Sequence, residues 1–447
     1  MHGEHPAAQV IFGWDPLWVA TTLFVVTYAV IISERVNRAI VALLGAGLMI
    51  ITGVVNQHAA LSGEDFNTLG LLTGMMVIVA ITRKSGVFQF VAIWSAKKVG
   101  AKPWGILLML SVVTALFSAL LDNVTTVLLI APVTLLITQE LKVAPYPYLF
   151  AEILASNIGG TATLIGDPPN IMIGSAVHLT FNDFLLNLAP IIPLILAATL
   201  VVIYFVWGRQ MHASTEARQR IMDFNERNSI SDSRLLKQSL AVLALVIAGF
   251  MLAHNLGLQP ATIALFGAAL LMLLHNLDRH ADDQSKQVHA SFAEVEWVTI
   301  FFFIGLFIVV HGIEEAGLLD ILADGVLGLT GGDMTLTAMV IIWVSALFSA
   351  LVDNIPFVAT MIPLIKSMAP TFGGPEAIMP LWWSLALGAC LGGNGSLIGA
   401  SANLIVAGYA ERAGHPIRFV PFLLMAFPMM LLSVVIATAY VYLRYLA

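Results

Sequence analysis

The chain has 447 residues, 59% of them hydrophobic and 11% charged, with a mean hydropathy of +0.91 and a formal charge of −7. Soluble domains carry about 25% charged residues, so this balance excludes an ordinary soluble enzyme and points to a polytopic membrane protein. The single cysteine, Cys390, excludes a disulfide framework and any Cys-cluster metal site, and it reads as a small packing residue.

The start, MHGEHPAAQVIFGWD, lacks a basic n-region, so no cleavable signal peptide is expected. Stretches long enough to cross a bilayer follow at about 12–32, 39–55 and 66–82. After them come two apolar arms, 104–121 and 124–138, joined at SALLDNVTT; two full spans or a re-entrant hairpin would both return the chain to the same side, so charge counting does not separate them. A further apolar stretch at 147–178 is interrupted by Gly, Pro and Asn, and a span is expected at 184–207. A polar linker at 208–237 leads to spans at 238–255, 259–276 and 297–313. The string SALVDNIPF then repeats the first tip, an interrupted stretch fills 380–409, and a last span is expected at 420–443.

Two halves emerge, 1–207 and 238–447, separated by the linker. ALFSALLDN (115–123) matches ALFSALVDN (346–354) at eight of nine positions, and the same offset aligns Gly74 with Gly305 and Gly86 with Gly317. GGTATLIGDPPN (159–170) aligns with GGNGSLIGASAN (392–403). Each half has five spans, an odd number, so the second enters the membrane upside down. Inverted repeats with discontinuous helices place a transport site near the midplane.

With the N-terminus outside, eighteen of the twenty Lys and Arg residues fall in cytoplasmic segments and none in the outward loops. The topology expected therefore has spans in contact with lipid and an N-terminus on the outer side. The segments SGVFQFVAIWSAKKVG and AGLLDILADGVLGLTGG read as amphipathic helices lying in the interface. The fold expected is all-α, with about ten spans, two re-entrant hairpins and two broken helices.

Both breaks carry polar residues where polarity is costly. A charge at the bilayer centre costs about 2.5–3.5 kcal/mol on insertion scales, so Asp122 and Asp353 belong in protein or water. Each Asp can also cap the arm that follows it. Asn123 and Asn354 offer carbonyl oxygens and amide donors beside them, with Thr125 next along. In the broken stretches, Pro168 and Pro169 stop a helix, and irregular backbone at membrane depth lines a cavity. Thr161, Thr163, Asn170, Asn394, Ser396 and Asn403 would supply hydroxyl or amide contacts there. Asp167 has Ala400 as its repeat partner, and this broken symmetry suggests a specialised role in coupling to a proton or cation. Glu152, in the apolar run YLFAEILASN, is a proton-relay candidate whose partner is Leu385. No Lys or Arg is expected near the tips.

LDNVTTVLLIAPVT, NIGGTATLIGDPPNIMIGSA and GACLGGNGSLIGASANLIVAGYAERAG resemble the ion transporter superfamily. Within it they are similar to the branch of ArsB-type arsenite/antimonite permeases and the melanosomal P protein. The resemblance implies a scaffold and a mobile transport region, elevator movement, often a homodimer, and sometimes a companion cytosolic ATPase. Dicarboxylate members carry Ser-Asn-Thr at the tips, whereas here Asp-Asn stands there, which suits a cation or proton better than an anion. The function expected is export of As(OH)₃ or Sb(OH)₃ across a bacterial inner membrane, the N-terminus periplasmic, in exchange for protons and without a cofactor. The alternatives are a Na⁺/H⁺ antiporter and a P-protein-like anion transporter. A non-transporting scaffold has no use for paired polar breaks. No phosphate loop, zinc spacing or nucleophile elbow marks an enzyme, and nothing suggests a nucleic-acid partner.

Overall fold

The computed structural model describes residues 10–33 and 35–447, and the described chain is helical without strands. Residues 1–9, on which the expectations of no signal peptide and an outward N-terminus rest, lie outside the described residues. The first half contains α1 (Pro16–Ile32), α2 (Arg38–Ile51), α3 (Phe66–Arg83) and a shorter α4 (Val87–Lys98). A hairpin of α5 (Pro103–Leu120) and α6 (Asn123–Leu141) follows, then a broken helix, α7 (Tyr146–Gly160) and α8 (Pro168–Val177), and finally α9 (Ile192–Val206). The second half repeats this order. Its members are α10 (Ser233–Leu256), α11 (Pro260–Asn276), α12 (Trp297–Glu315), α13 (Leu318–Thr330), α14 (Met334–Leu351), α15 (Asn354–Phe372), α16 (Met379–Gly392), α17 (Ser401–Arg412) and α18 (Phe419–Val441).

The repeat extends to the backbone. Gly86 and Gly317 sit before α4 and α13 with φ of 81° and 80°, a left-handed turn that glycine adopts without strain. Gly74 of α3 lies against Ala264 of α11, and Gly305 of α12 lies against Ala42 of α2. A Cβ at either glycine would stand 2.6 or 2.5 Å from the partner backbone. In the hairpin units, Gly159 of α7 meets Ala115 of α5, and Gly392 of α16 meets Ala346 of α14, equally closely. Small residues let helices approach in lipid, where packing rather than water drives association.

Both hairpins end inside the molecule. α5 and α6 are 18 and 19 residues long, about 27 Å each at 1.5 Å per residue. Their tip is nevertheless enclosed, with Asp122 only 6% and Asn123 2% exposed. The second tip encloses Asn354 in the same way. The arms are therefore re-entrant, which charge counting alone could not decide. Among the described residues eight helices are long and apolar enough to span, the four hairpin arms included, and a ninth is formed if Phe181–Asn187 and Ile192–Val206, bent by 52°, count as one. The bend falls where Pro190 and Pro193 interrupt the expected span 184–207. The span expected at 39–55 is also shorter than read: α2 stops at Ile51 because Gly53 turns the chain with φ of 80°.

Ion pairs gather one end of the molecule. Arg83–Glu294 (2.6 Å), Lys97–Glu226 (2.7 Å) and Arg220–Glu140 (3.4 Å) join segments that the charge pattern placed on one side, as does Arg234–Asp278. The linker is docked rather than free: its helix Thr215–Asp223 packs on α6, and Ser231 bonds the carbonyls of Lys84 and Ser85. α4 buries Phe88, Ala92 and Ala96, and it packs on both arms of the first hairpin. α13 packs on α15 in the same way. The two amphipathic segments thus brace the hairpins.

Candidate functional site

Four helices begin at one place in the middle of the protein. The N-termini of α6 and α15 carry Asp122-Asn123 and Asp353-Asn354, and those of α8 and α17 carry Asp167-Pro168 and Ala400-Ser401. Each contributes the partial positive charge of its free N–H groups. They surround a cavity of about 20 Å³, also lined by Arg38, Glu296 and Thr299. That volume accommodates about one water molecule or a bare monovalent ion.

The loops that shape this cavity are held by their own polar side chains. Asn170 Nδ2 donates to the carbonyls of Thr163 (2.9 Å) and Thr161 (3.2 Å), and Asn403 Nδ2 donates to those of Gly393 (2.7 Å) and Ser396 (2.8 Å). Thr163 Oγ1 donates to Ala119 O at 2.5 Å, Ser396 Oγ to Ala350 O at 2.6 Å, and Thr161 Oγ1 to Asn157 O at 2.8 Å. These five side chains, expected as solute contacts, satisfy backbone groups that the breaks leave free. Asn394 accepts from Asn157 Nδ2 at 2.9 Å, and so does Asn403. Thr125 donates its backbone N–H to Asp122 Oδ1 at 2.7 Å, the cap of α6.

The carboxylates differ. Asp353 caps α15 through Ile355 N (3.1 Å), accepts from Arg38 Nη1 at 2.6 Å and accepts from Ser401 Oγ at 2.9 Å. The expectation that no basic residue stands near the tips is therefore overturned. Arg38 opens α2 in the segment read as a cytoplasmic loop, and folding brings it to a residue 315 positions away. Asp122 has no such partner among the described residues. Asp167 precedes α8 without capping it. Its Oδ1 instead accepts from Asn354 Nδ2 at 3.3 Å, its Oδ2 is buried without a well-formed hydrogen bond among the described residues, and the Cys390 thiol lies beside the carboxyl. Glu152 stands apart from the cavity, fully buried between α7 and α6, where Thr134 Oγ1 donates to it.

Residues that the sequence reading passed over complete the site: Arg38, Ser401, Glu296, Thr299 and Asn157. Asn157 Oδ1 accepts from Asn123 Nδ2 at 3.2 Å, linking tip to broken helix. Its repeat partner is Cys390, whose thiol lies 3.5 Å from Asn170 Oδ1. Asn157 opens the quoted motif NIGGTATLIGDPPN, so its place was within reach. Arg38 has no local signature.

Two vestibules approach the cavity from opposite ends. One, of about 670 Å³, shares Arg38, Glu296, Thr299 and Ser401 with it and opens beside residues 31–37 and 295–298. The other, of about 630 Å³, is lined by Asp65, Asn67, His311 and Lys366 and stops near Leu71 and Leu164. A polar site between two mouths, built where inverted halves break their helices, defines a membrane transporter.

The chain belongs to the citrate transporter (CitMHS) family, whose model matches residues 28–388. It is 43% identical to the uncharacterized transporter Rv2684 of Mycobacterium tuberculosis, over 96% of this chain and 98% of that protein. A 46 kDa membrane protein of Mycobacterium leprae is 41% identical over 96% of this chain and 99% of its own length. The human P protein is 32% identical over 94% of this chain, a region that makes up 59% of that protein. Among solved structures, the YdaH transporter of Alcanivorax borkumensis, described as having an unusual topology, shares the fold. Its TM-score is 0.60 at 14% identity, covering 95% of this chain and 99% of that one.

Proposed function

We propose that the protein is a proton-coupled secondary transporter whose coupling groups are Asp122 and Asp167. The observation that carries this is the division of labour among the tip carboxylates. Asp353 is neutralised by Arg38 in both charge and hydrogen bonding. Asp167 presents an unpartnered oxygen beside the cavity, and Asp122 faces the same space. A proton reaching these two changes the charge of the site, and with it which solute and which conformation are favoured; coupling requires such a difference between states.

The cargo on this reading is As(OH)₃ or Sb(OH)₃, expelled as protons enter. An uncharged trihydroxide suits the amides of Asn123 and Asn354, the hydroxyls of Thr299 and Ser401 and the helix N-termini, is not repelled by the acidic side chains, and enters once the cavity of about 20 Å³ widens into the 670 Å³ vestibule. A second reading, citrate-like carboxylate transport, is favoured by the four helix N-termini, by Arg38 and by the family's description. In that case protonation of Asp122 and Asp167 would be the condition for binding, and cargo and proton would travel together. Movement would be of the elevator kind. The units α5–α8 and α14–α17 would slide against a scaffold in which α2 packs on α12 and α3 on α11. A homodimer in a bacterial inner membrane, and a cytosolic ATPase on the basic end, extend the proposal.

Purified protein in liposomes tests both readings. Radiolabelled arsenite and citrate are followed under imposed proton gradients of either sign, with a Na⁺ gradient in parallel. Opposed arsenite and proton movement, lost in Asp122→Asn, supports the first reading. Parallel citrate and proton movement supports the second. A Na⁺-driven pH change with neither cargo moving would replace both with a Na⁺/H⁺ antiporter.

A further inference from the structure

The two hairpin units share a backbone plan, but only the first has a polar seam through its interior. α6 and α7 run antiparallel and are tied at two heights. Thr134 bonds Glu152 near the middle of both helices, and Asn123 bonds Asn157 at the tip. Between these ties the helices carry Thr126 and Ser156, whose hydroxyls are buried without partners among the described residues. The free oxygen of Glu152, Asn123 Oδ1 and Asp167 Oδ2 are buried and unpartnered as well. Buried polar groups are normally bonded, and each one left open calls for an explanation. Here five of them lie along one course. On α6 the positions 123, 126, 130, 134 and 138 fall on one face, and on α7 Glu152 and Ser156 are one turn apart.

The second repeat lacks this seam. Its residues at the positions of Glu152, Ser156, Thr126, Thr134 and Thr138 are Leu385, Ala389, Phe357, Ile365 and Ala369, all apolar. The packing could thus be made from hydrocarbon, and one repeat has been made so. Single open hydroxyls, Ser345 and Ser384, occur in the second repeat too, but only the first sets them between a buried carboxyl and the tip.

We infer that the seam from Glu152 through Ser156, Thr126 and Asn123 is the route by which a proton moves between the middle of the hairpin unit and Asp122 and Asp167. It rests on the proton-coupled reading above. From Glu152 to Asn157 the helix rises about 7.5 Å, a gap that hydroxyls and an intervening water can bridge. Proton transfer needs groups that both give and take a proton, and Ser and Thr hydroxyls do so while their oxygens are not committed elsewhere. Glu152 is the loading group. The helices packed on α7 are α5, α6, α9, α16 and α17. Their titratable residues are Glu140, Tyr204, Cys390, Tyr409, Glu411 and Arg412. None of these, nor Tyr146 or Tyr148 on α7 itself, hydrogen-bonds Glu152, whose partner is Thr134.

The test uses full-length protein in liposomes, with arsenite and then citrate as probes. Two rates are measured: proton movement accompanying a cargo gradient, read by a trapped pH dye, and exchange of labelled for unlabelled cargo at equal pH. In Glu152→Gln the coupled rate should fall by about a hundredfold, the low end of what a positioned proton donor contributes, while exchange stays within about twofold of wild type. Thr126→Val and Ser156→Ala remove buried, unbonded hydroxyls, so both should fold at least as stably as wild type and still slow the coupled rate several-fold. Ser384→Ala, an equally buried open hydroxyl in the second repeat, should change neither rate. An unchanged coupled rate in all three first-repeat variants overturns the inference, and so does an equal loss of exchange. A wild type that moves protons with neither cargo overturns the underlying reading, an outcome visible before any variant is made.

Discussion

The two hairpin units of this transporter are alike in backbone and unlike in chemistry. In both, a glycine of the broken helix rests on an alanine of the hairpin, an Asp caps the second arm, and an Asn ties the broken loop to its own carbonyls. Yet the first keeps Asp122 without a basic partner, Asp167 with an open oxygen and a polar seam. The second pairs Asp353 with Arg38 and places Ala400, Leu385 and Cys390 at the matching positions. Symmetry is kept where it carries the backbone through a break in the membrane, because orphaned carbonyls must be bonded in either orientation. On the proposed function it is given up where a proton is handled, since the carboxylates of one repeat suffice and a matching set in the other would cost desolvation without gain.

Several substitutions would break or sharpen this contrast. The largest effect is expected at Asp167. Asp167→Asn should abolish the dependence of transport on a proton gradient, while Asp353→Asn lowers the rate but keeps that dependence. Equal loss in both would mean that the repeats are chemically equivalent after all.

Next come the shared contacts. A Cβ at Gly159 would stand 2.2 Å from Ala115 O, and one at Gly392 would stand 2.5 Å from Ala346 O. Gly159→Ala and Gly392→Ala should each cost about 3 kcal/mol, at the upper end of what overpacking does, and lower the melting temperature in detergent to a similar degree. If one is tolerated, the backbone equivalence fails.

Arg38→Ala leaves Asp353 with a charge and fewer partners, at a cost of about 1–3 kcal/mol. Adding Asp353→Asn should recover most of it. A double variant no better than the single would show that Arg38 acts through packing on Phe302, whose ring centre lies 5.0 Å from its guanidinium.

The smallest effect lies outside the membrane. The hydrogen bond from Lys97 holds the Glu226 carboxyl below its usual 4.5. A lowered value means that the clamp on the linker is complete above pH 4.5 and is lost as acid titrates the carboxyl further down. Proteolysis of the linker should therefore quicken only below pH 4.5, and Glu226→Gln should flatten that profile by raising cleavage at neutral pH.

Much of this molecule was legible in its sequence. Hydropathy is a local property, and it located the spans, the broken stretches and the hairpin arms within a few residues. Repeated strings identified the inversion and singled out Asp122, Asp353 and Asp167. The sequence could not show which polar groups face the cavity and which hold the loops. Thr161, Thr163, Ser396, Asn170 and Asn403 are chemically suited to either task, and only the positions of the freed carbonyls assign them to the backbone. Nor could it show Arg38 on Asp353, Asn157 bridging both halves, or the enclosed hairpin tips. Those contacts join residues that lie tens to hundreds of positions apart, and no periodicity along the chain encodes such a distance. Composition and pattern determined that this chain crosses a membrane as two inverted halves with a polar break in each. Tertiary structure alone decided which carboxylate is paired with an arginine and which is not, because that depends on where an arginine from a distant helix comes to rest.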